Sequence, residues 1–463
     1  MDTPMDTLVN SAHARDKRSH LHPFTNLAAH ADCGPTIFAR GDGIHVFDDE
    51  GRGYIEGLAG LWCASLGFSE SRLVDAAMRQ MRDLPFYHNF AHKAVEPAIE
   101  LADYLVNRVS APMGKVFFTN SGSEANDTQV KLVRYYNNLR GRPEKKKIIA
   151  RRGAYHGITL AAASLTGMQY AHNAFDVPLP GILHVTCPHY YHHARENESE
   201  AEFASRLVCE LEQLIESEGP ETIAAFIAEP VLGAGGVIPA PTGYFEAIQP
   251  LLRRHDILFI ADEVITGFHR TGGLLGCDTY GLCPDMISMA KALSAGYQPI
   301  GAVMVSDAVH EVLVEGSRRF GLFGHGFTYS GHPVPAAVAL ETQRIYDADA
   351  TGAHVGRVAG RFQSRLRAFA DHPLVGEARG VGLIGAVELV EDKTARRNFD
   401  AARKVGPWVA NRAQEHGLIV RALINDTIAI CPPLIITEPQ IDELFDALGR
   451  ALDDALGAFE IKG

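Results

Sequence analysis

Two kinds of apolar pattern divide the chain. From about residue 115 to about 290, short unbroken apolar runs recur: Val116-Phe117-Phe118, then KIIA, IAAFIA, LFIA and MISMA. Runs of that length without polar alternation suit strands buried on both faces. Between them lie stretches such as FASRLVCELEQLIESEG and YFEAIQPLLRRHD, whose apolar residues return every three or four positions, as on one face of a helix. Regular alternation of the two predicts a doubly wound, mainly parallel α/β sheet.

The flanks read differently. Residues 1 to about 20 are polar and read as loosely held. The stretch ARGDGIHVFDDEGRGYIEGLAGLWCASLGF alternates apolar residues with glycine-containing turns and predicts a small antiparallel meander. SRLVDAAMRQMRDL predicts a helix with Leu73, Ala76, Ala77, Met81 and Leu84 on one face. PAIELADYLVNRV predicts another, with Pro97 in its first turn. After HGFTYSGHP come two helical patterns, the strand-like LIGAVELV, GLIVRAL and TIAICPPL, and a last amphipathic helix, QIDELFDALGRALDDAL. The expected organisation is a large domain over 73–335. A smaller α+β domain would be built from an N-terminal segment, 1–72, and a C-terminal part, 336–463.

Composition narrows the field. The 463 residues carry 46% hydrophobic and 21% charged side chains and a net charge of -13. These values are ordinary for a globular enzyme and unlike the basic stripe of a nucleic-acid binder. The seven cysteines are scattered and contain no C-x-x-C, so neither a disulfide frame nor a zinc site is expected. No apolar run approaches the roughly 18 residues of a membrane span, and no secretory h-region is visible near the start. These features together read as a cytoplasmic protein without membrane or nucleic-acid partners.

Chemistry gathers where the apolar runs end. LFIA stops at Asp262 and Glu263, and MISMA stops at Lys291, both at carboxyl ends of expected parallel strands, the edge at which open α/β sheets bind ligands. A buried structural ion pair would read the same way. In TNSGSEAN a strand turns through Ser121, Gly122 and Ser123 into a helix. The free N–H groups of such a terminus suit a phosphate, or the serine is a plain cap. Tyr155 and His156 in AYHG offer rings on which a planar ligand could stack. Thr328 in the glycine-rich HGFTYSGHP is a candidate phosphate donor. His189, His192 and His193 in PHYYHH invite a metal, but no acidic or thiolate partner stands at ligand spacing nearby and the run reads as a surface loop, so no metal is expected.

Together an acid, an amine, a stacking ring and a phosphate cradle at one sheet edge describe a pyridoxal phosphate pocket. Through SGSEAN, YHG, EPVLGAGG, ADEVITGFHRTG, SMAKALSAGYQPIGAV and HGFTYSGHP the chain resembles the class III aminotransferases of fold type I. HGFTYSGHP with the earlier GLWC resembles their amine or ω-amino acid:pyruvate branch. The resemblance implies a Schiff base on Lys291, Asp262 against the pyridine nitrogen, and Val264 and Tyr155 on the two ring faces. It implies Gly122 and Ser123 at the phosphate, with Phe327 and Thr328 reaching it from the neighbouring subunit of an obligate homodimer, or of a tetramer built from such dimers. Glu229 would lie on the ring-hydroxyl side, and Arg421 would take the substrate carboxylate. Phe24, Trp62 and Phe90 would line the substrate entrance.

The chemistry agrees with those roles. A neutral amine must be made available at Lys291 for it to act as nucleophile and then as proton carrier. A carboxylate at Asp262 keeps the ring nitrogen protonated. One departure narrows the substrate. Relatives acting on ornithine or 4-aminobutyrate with 2-oxoglutarate carry a glutamate after the EP-x-x-G turn that pairs with the equivalent arginine, whereas here the position is Ala234. The resemblance therefore implies transfer from an amine or ω-amino acid to pyruvate. A 2-oxoglutarate-using transaminase, a decarboxylase or an aminomutase on the same fold are the alternatives. A dinucleotide oxidoreductase would carry G-x-G-x-x-G after an early strand with an acid about 20 residues later, and no such arrangement is found.

Overall fold

The computed structural model describes residues 10–459, so residues 1–9 of the polar N-terminal stretch lie outside the described residues. The rest of that stretch is more ordered than its polarity suggests. Ala12–Ser19 is a helix, with Ser11 Oγ accepting from Ala14 N at its start.

Seven strands form the central sheet. Their spatial order is Met113–Thr119, Gly301–Ser306, Met286–Met289, Leu258–Asp262, Ile223–Ala228, Lys147–Arg151 and Ile182–Val185. Gly301–Ser306 pairs antiparallel with both neighbours, and the remaining strand pairs are parallel. The expected unbroken apolar runs are buried throughout: all six residues of Ile223–Ala228 and all five of Leu258–Asp262. Ile182–Val185 escaped the sequence reading because ILHV is short and places a histidine in the apolar run.

Each flanking region contributes a smaller sheet. Phe38–Asp42, His45–Asp48 and Gly53–Glu56 form the expected antiparallel meander. A two-residue strand from the C-terminal region, Leu418–Ile419, then joins its edge in parallel. Val375–Val381, Ile384–Leu389, Thr427–Ile430 and Arg421–Ala422 form the second sheet. GLIVRAL is therefore not one strand. It divides between two sheets at Val420, a crossover that alternating apolar residues cannot reveal.

The helix Ser71–Asp83 departs from expectation. Leu73 and Ala76 are buried, but Met81 and Leu84 are exposed, together with Val74, Met78, Phe86, Tyr87 and Ile99. Apolar exposure on that scale is unusual for a surface that faces only water. Among the described residues no helix is long and apolar enough to cross a membrane.

Candidate active site

The carboxyl edge of the central sheet opens onto a cavity of about 440 Å³, lined among others by Ser121, Gly122, Ser123, Tyr155, His156, Glu229, Asp262, Val264 and Lys291. These side chains come from the ends of five strands that lie apart in sequence and are gathered in one sheet, four of them adjacent and Met113–Thr119 one strand further along.

Asp262 ends its strand at 3% exposure. Its Oδ2 accepts hydrogen bonds at 2.8 Å from both His156 Nδ1 and Asn126 Nδ2, and its Oδ1 accepts from the Val264 amide at 3.1 Å. Burial alone would raise its pKa. The hydrogen bond and charge of His156, with Asn126 and the Val264 amide, outweigh burial and hold the carboxyl below its ordinary value. Asn126 went unrecognised in the sequence. Its signal is position: it lies one helical turn beyond Gly122, on the inner face of the helix Gly122–Leu139.

Lys291 lies just beyond Met286–Met289, with its Nζ 5.3 Å from the Trp62 ring centroid. Burial lowers its pKa, which favours the neutral amine. Its backbone is left-handed at φ 47°, as is that of Trp62 (61°) and Phe24 (49°). Left-handed backbone is costly for bulky residues and concentrates where function requires it.

The strand Met113–Thr119 hands over to the helix Gly122–Leu139 through Ser121, whose Oγ accepts from Glu124 N. The first N–H groups of a helix have no intrahelical acceptor and attract an anion. A Cβ on Gly122 would stand 3.0 Å from Val264 Cγ2, so only glycine leaves this terminus open beside Val264. Ser123 Oγ accepts from Ile158 N at 3.1 Å, tying the terminus to the loop after Tyr155. The Glu229 carboxylate joins two further loops, accepting from Tyr155 N at 3.0 Å and Gly233 N at 2.9 Å. Burial raises its pKa.

A second cavity of about 300 Å³ adjoins the first and shares Tyr155 and Lys291 with it. Phe24, Trp62, Tyr170, Ala234 and Arg421 line it. The Arg421 guanidinium lies 5.8 Å from the Trp62 ring centroid. Tyr170, absent from the sequence reading, packs edge-on against Phe24 at 6.0 Å. Cys63 lines the first cavity and was likewise missed.

Three expected residues stand outside these cavities in the protomer. Phe90 is exposed and packs beside Gly326, where a Cβ would meet its ring at 2.8 Å. Phe327 is half-buried and Thr328 exposed, on the same loop.

The PHYYHH run needs correction. It is not an isolated surface loop, because acidic partners arrive from a distant sheet. His189 Nε2 is 2.8 Å from Glu377, His192 pairs with Glu388, and Arg379 Nη1 pairs with both carboxylates. The Arg379 guanidinium thus places one positive charge between the two carboxylates of the cluster.

An aminotransferase class III family model matches residues 27–452. The chain belongs to the class III aminotransferases. Its fold is the mixed α/β fold type I of that class, and its cofactor is pyridoxal 5′-phosphate. The open helix terminus at Gly122, the ionised Asp262 and the half-buried Lys291 fit that group, as do the buried His156 Nε2, Asn126 Oδ1 and Ser288 Oγ, which find no protein partner.

The aminotransferase is 52% identical to the omega transaminase from Pseudomonas jessenii solved in complex with PMP. That match has a TM-score of 0.96 and covers 98% of this chain and 100% of that one. It is 52% identical over 433 residues to the gamma aminobutyrate transaminase 1, mitochondrial, of Solanum lycopersicum, covering 93% of this chain and 84% of the relative. It is 49% identical over 456 residues to the same plant's gamma aminobutyrate transaminase 3, chloroplastic, covering 98% and 88%.

Those names overturn the cytoplasmic placement expected from the sequence, since these relatives are mitochondrial or chloroplastic. The features behind that expectation do not discriminate. Unpaired thiols, acidic balance and the lack of an h-region suit an organelle interior as well as the cytosol.

Proposed function

We propose that this aminotransferase moves an amino group from an amine or ω-amino acid to pyruvate, giving alanine. The single observation carrying the acceptor is the pairing of Arg421 with Ala234 across the second cavity. Arg421 is the only arginine in the described lining of that cavity, and no carboxylate lines it. One guanidinium suits one carboxylate in bidentate contact, as pyruvate presents. The two carboxylates of 2-oxoglutarate would compete for it. The apolar walls, Phe24, Trp62 and Tyr170, suit the carbon chain or ring of a donor amine. The relatives' names, omega transaminase and gamma aminobutyrate transaminase, agree with a donor whose amino group is remote from any carboxylate.

In this reading the helix terminus at Gly122 and Ser123 holds the phosphate, and Val264 and Tyr155 bound the ring. Asp262, kept ionised by His156 and Asn126, holds a proton on the ring nitrogen. The bound cofactor draws electrons from the substrate carbon that bears the amino group. Lys291 is the tethered base that removes the proton from that carbon and returns it one position away. Glu229 fixes the backbone around Tyr155. The division into a large domain over 73–335 and a small one from both termini remains our reading, supported by the sheet that Leu418–Ile419 shares with Gly53–Glu56.

Arg421→Ala should weaken the half-reaction with pyruvate or alanine by about 1.5–3 kcal/mol, the range for a charged hydrogen bond. A carboxylate-free arylalkyl amine should lose much less, because a long arginine can leave the cavity when nothing there holds it. Stopped-flow measurement of each half-reaction decides. Equal losses for both would make Arg421 structural. Faster turnover with 2-oxoglutarate than with pyruvate in the unaltered enzyme would overturn the choice of acceptor.

The working unit we propose is a homodimer, or a tetramer built from two such dimers, with Phe327, Thr328 and Phe90 serving the neighbouring subunit's site. Two observations support it: these residues lie outside the protomer's two sheet-edge cavities, and the exposed apolar side chains of 74–99 leave a surface needing cover. Thr328→Ala should loosen cofactor retention roughly tenfold or more, as loss of a hydrogen bond to a charged phosphate would. Dialysis followed by absorbance measures it. Undiminished retention, or an active monomer by light scattering, would contradict the arrangement.

A further inference from the structure

The N-terminal helices Ala12–Ser19 and Leu27–Cys33 bury none of their residues. At eight and seven residues they are shorter than the roughly 12–15 at which an isolated helix becomes even marginal. Apolar packing is therefore not what holds them. Besides a hydrogen bond from Lys17 Nζ to Asp32 O at 3.1 Å, what joins them is a knot of three histidines around the Asp16 carboxylate. His22 Nε2 lies 2.8 Å from Oδ1, His30 Nε2 2.8 Å from Oδ2, and His20 Nδ1 3.2 Å from Oδ1. Asp16, His22 and His30 are only 16%, 22% and 11% exposed, and their ligating atoms all lie within 4.8 Å of one another. The rings of His20 and His22 stand 4.2 Å apart between centroids, and those of His22 and His30 4.1 Å.

We propose that Asp16, His22 and His30 bind one divalent transition metal ion of the zinc(II) type. The ion would fasten the two helices together and fix the Phe24 turn over the substrate cavity. Two imidazole nitrogens and one carboxylate oxygen are three donors of the kind zinc uses, and they leave the fourth tetrahedral position to a water. Donors bonded at about 2.0–2.1 Å to a tetrahedral ion stand about 3.3–3.4 Å apart, so the Asp16–histidine distances need to open by only a few tenths of an ångström. Each donor has a separate local reason to be in place. Asp16 lies on the first helix. His22 lies in the connecting turn, and His30 is on the second helix, which Asn26 caps through Ala29 N.

Phe24 lies between these ligands, and its ring meets Tyr155 edge-on at 6.4 Å. An ion at this site would therefore act on the cavity through the backbone on either side of Phe24. The other histidine cluster, His189, His192 and Glu388, does not share this reading, because Arg379 already places a cation on Glu388 at 2.7 Å.

Isothermal titration of metal-stripped holoenzyme with zinc chloride tests the site. One saturable zinc per chain is expected. Asp16→Asn, which keeps the side chain's shape, should weaken it by at least about tenfold, as should His22→Ala and His30→Ala, since loss of even a supporting outer partner costs that much. His192→Ala should leave it unchanged. Zinc should also slow tryptic cleavage at Arg18 in the unaltered enzyme and not in His22→Ala. Retained cofactor absorbance in each variant establishes that it is folded. Absence of saturable binding, binding that survives both His22→Ala and His30→Ala, or loss on His192→Ala would each overturn the proposal.

Discussion

Lys291→Ala should abolish amino transfer while leaving the cofactor bound through the phosphate cradle. The expected loss exceeds about 10⁴-fold, the upper end of what a positioned general base supplies, because the nucleophile disappears with the base. Of the two titratable side chains common to both cavities, Lys291 and Tyr155, only Lys291 can act as the base. Tyr155 shares both cavities, but burial raises its pKa, so it carries no readily removable proton at neutral pH. The half-buried amine is suited to its task because burial lowers its pKa toward the working range. Turnover can be followed as alanine release, and cofactor content by absorbance after denaturation. Partial rescue by a small added amine is consistent with the role. Near-normal turnover without one would remove Lys291 from the mechanism.

Asp262→Asn should produce the second-largest loss, roughly 10²- to 10³-fold. An opposite charge within a few ångströms shifts a pKa by up to about 3 units, and the variant withdraws that help from the ring nitrogen. The sign of the pH dependence follows. In the unaltered enzyme Asp262 lies below its ordinary pKa and stays ionised across the neutral range, so it supplies its charge without titrating there. In the variant the ring nitrogen depends on protons from solution, so activity should recover as pH falls and decline as pH rises. A pH–rate profile parallel to that of the unaltered enzyme would contradict this role. His156→Gln should shift the profile in the same direction by a smaller amount, since His156 acts on the ring only through Asp262 Oδ2.

What was legible in the sequence and what was not separate along physical lines. Lys291 and Asp262 could be read because a strand buried on both faces tolerates no charge inside it. A charge that ends such a run marks the sheet edge. The open helix terminus at Gly122 could be read because a strand, a serine turn and a helix follow one another locally. The split of GLIVRAL could not, since strands of two residues, Leu418–Ile419 and Arg421–Ala422, carry no periodicity and are defined by partners in two different sheets. Glu388 reaches His192 from 196 residues away, which spacing arguments cannot detect. Met81 and Leu84 follow the helical repeat and are nonetheless exposed, because the repeat marks an apolar surface without saying what covers it. Phe90 and Thr328 fall in the same class.

The most direct test of amino transfer to pyruvate follows the nitrogen itself. Holoenzyme is mixed with an isotopically labelled amine or ω-amino acid, freed of excess donor, and then given pyruvate and 2-oxoglutarate together. Mass spectrometry reads the products. The label should appear in alanine, well in excess of any in glutamate. Label confined to glutamate would contradict the proposed acceptor, and label in neither product, with the donor consumed, would contradict transamination from these donors.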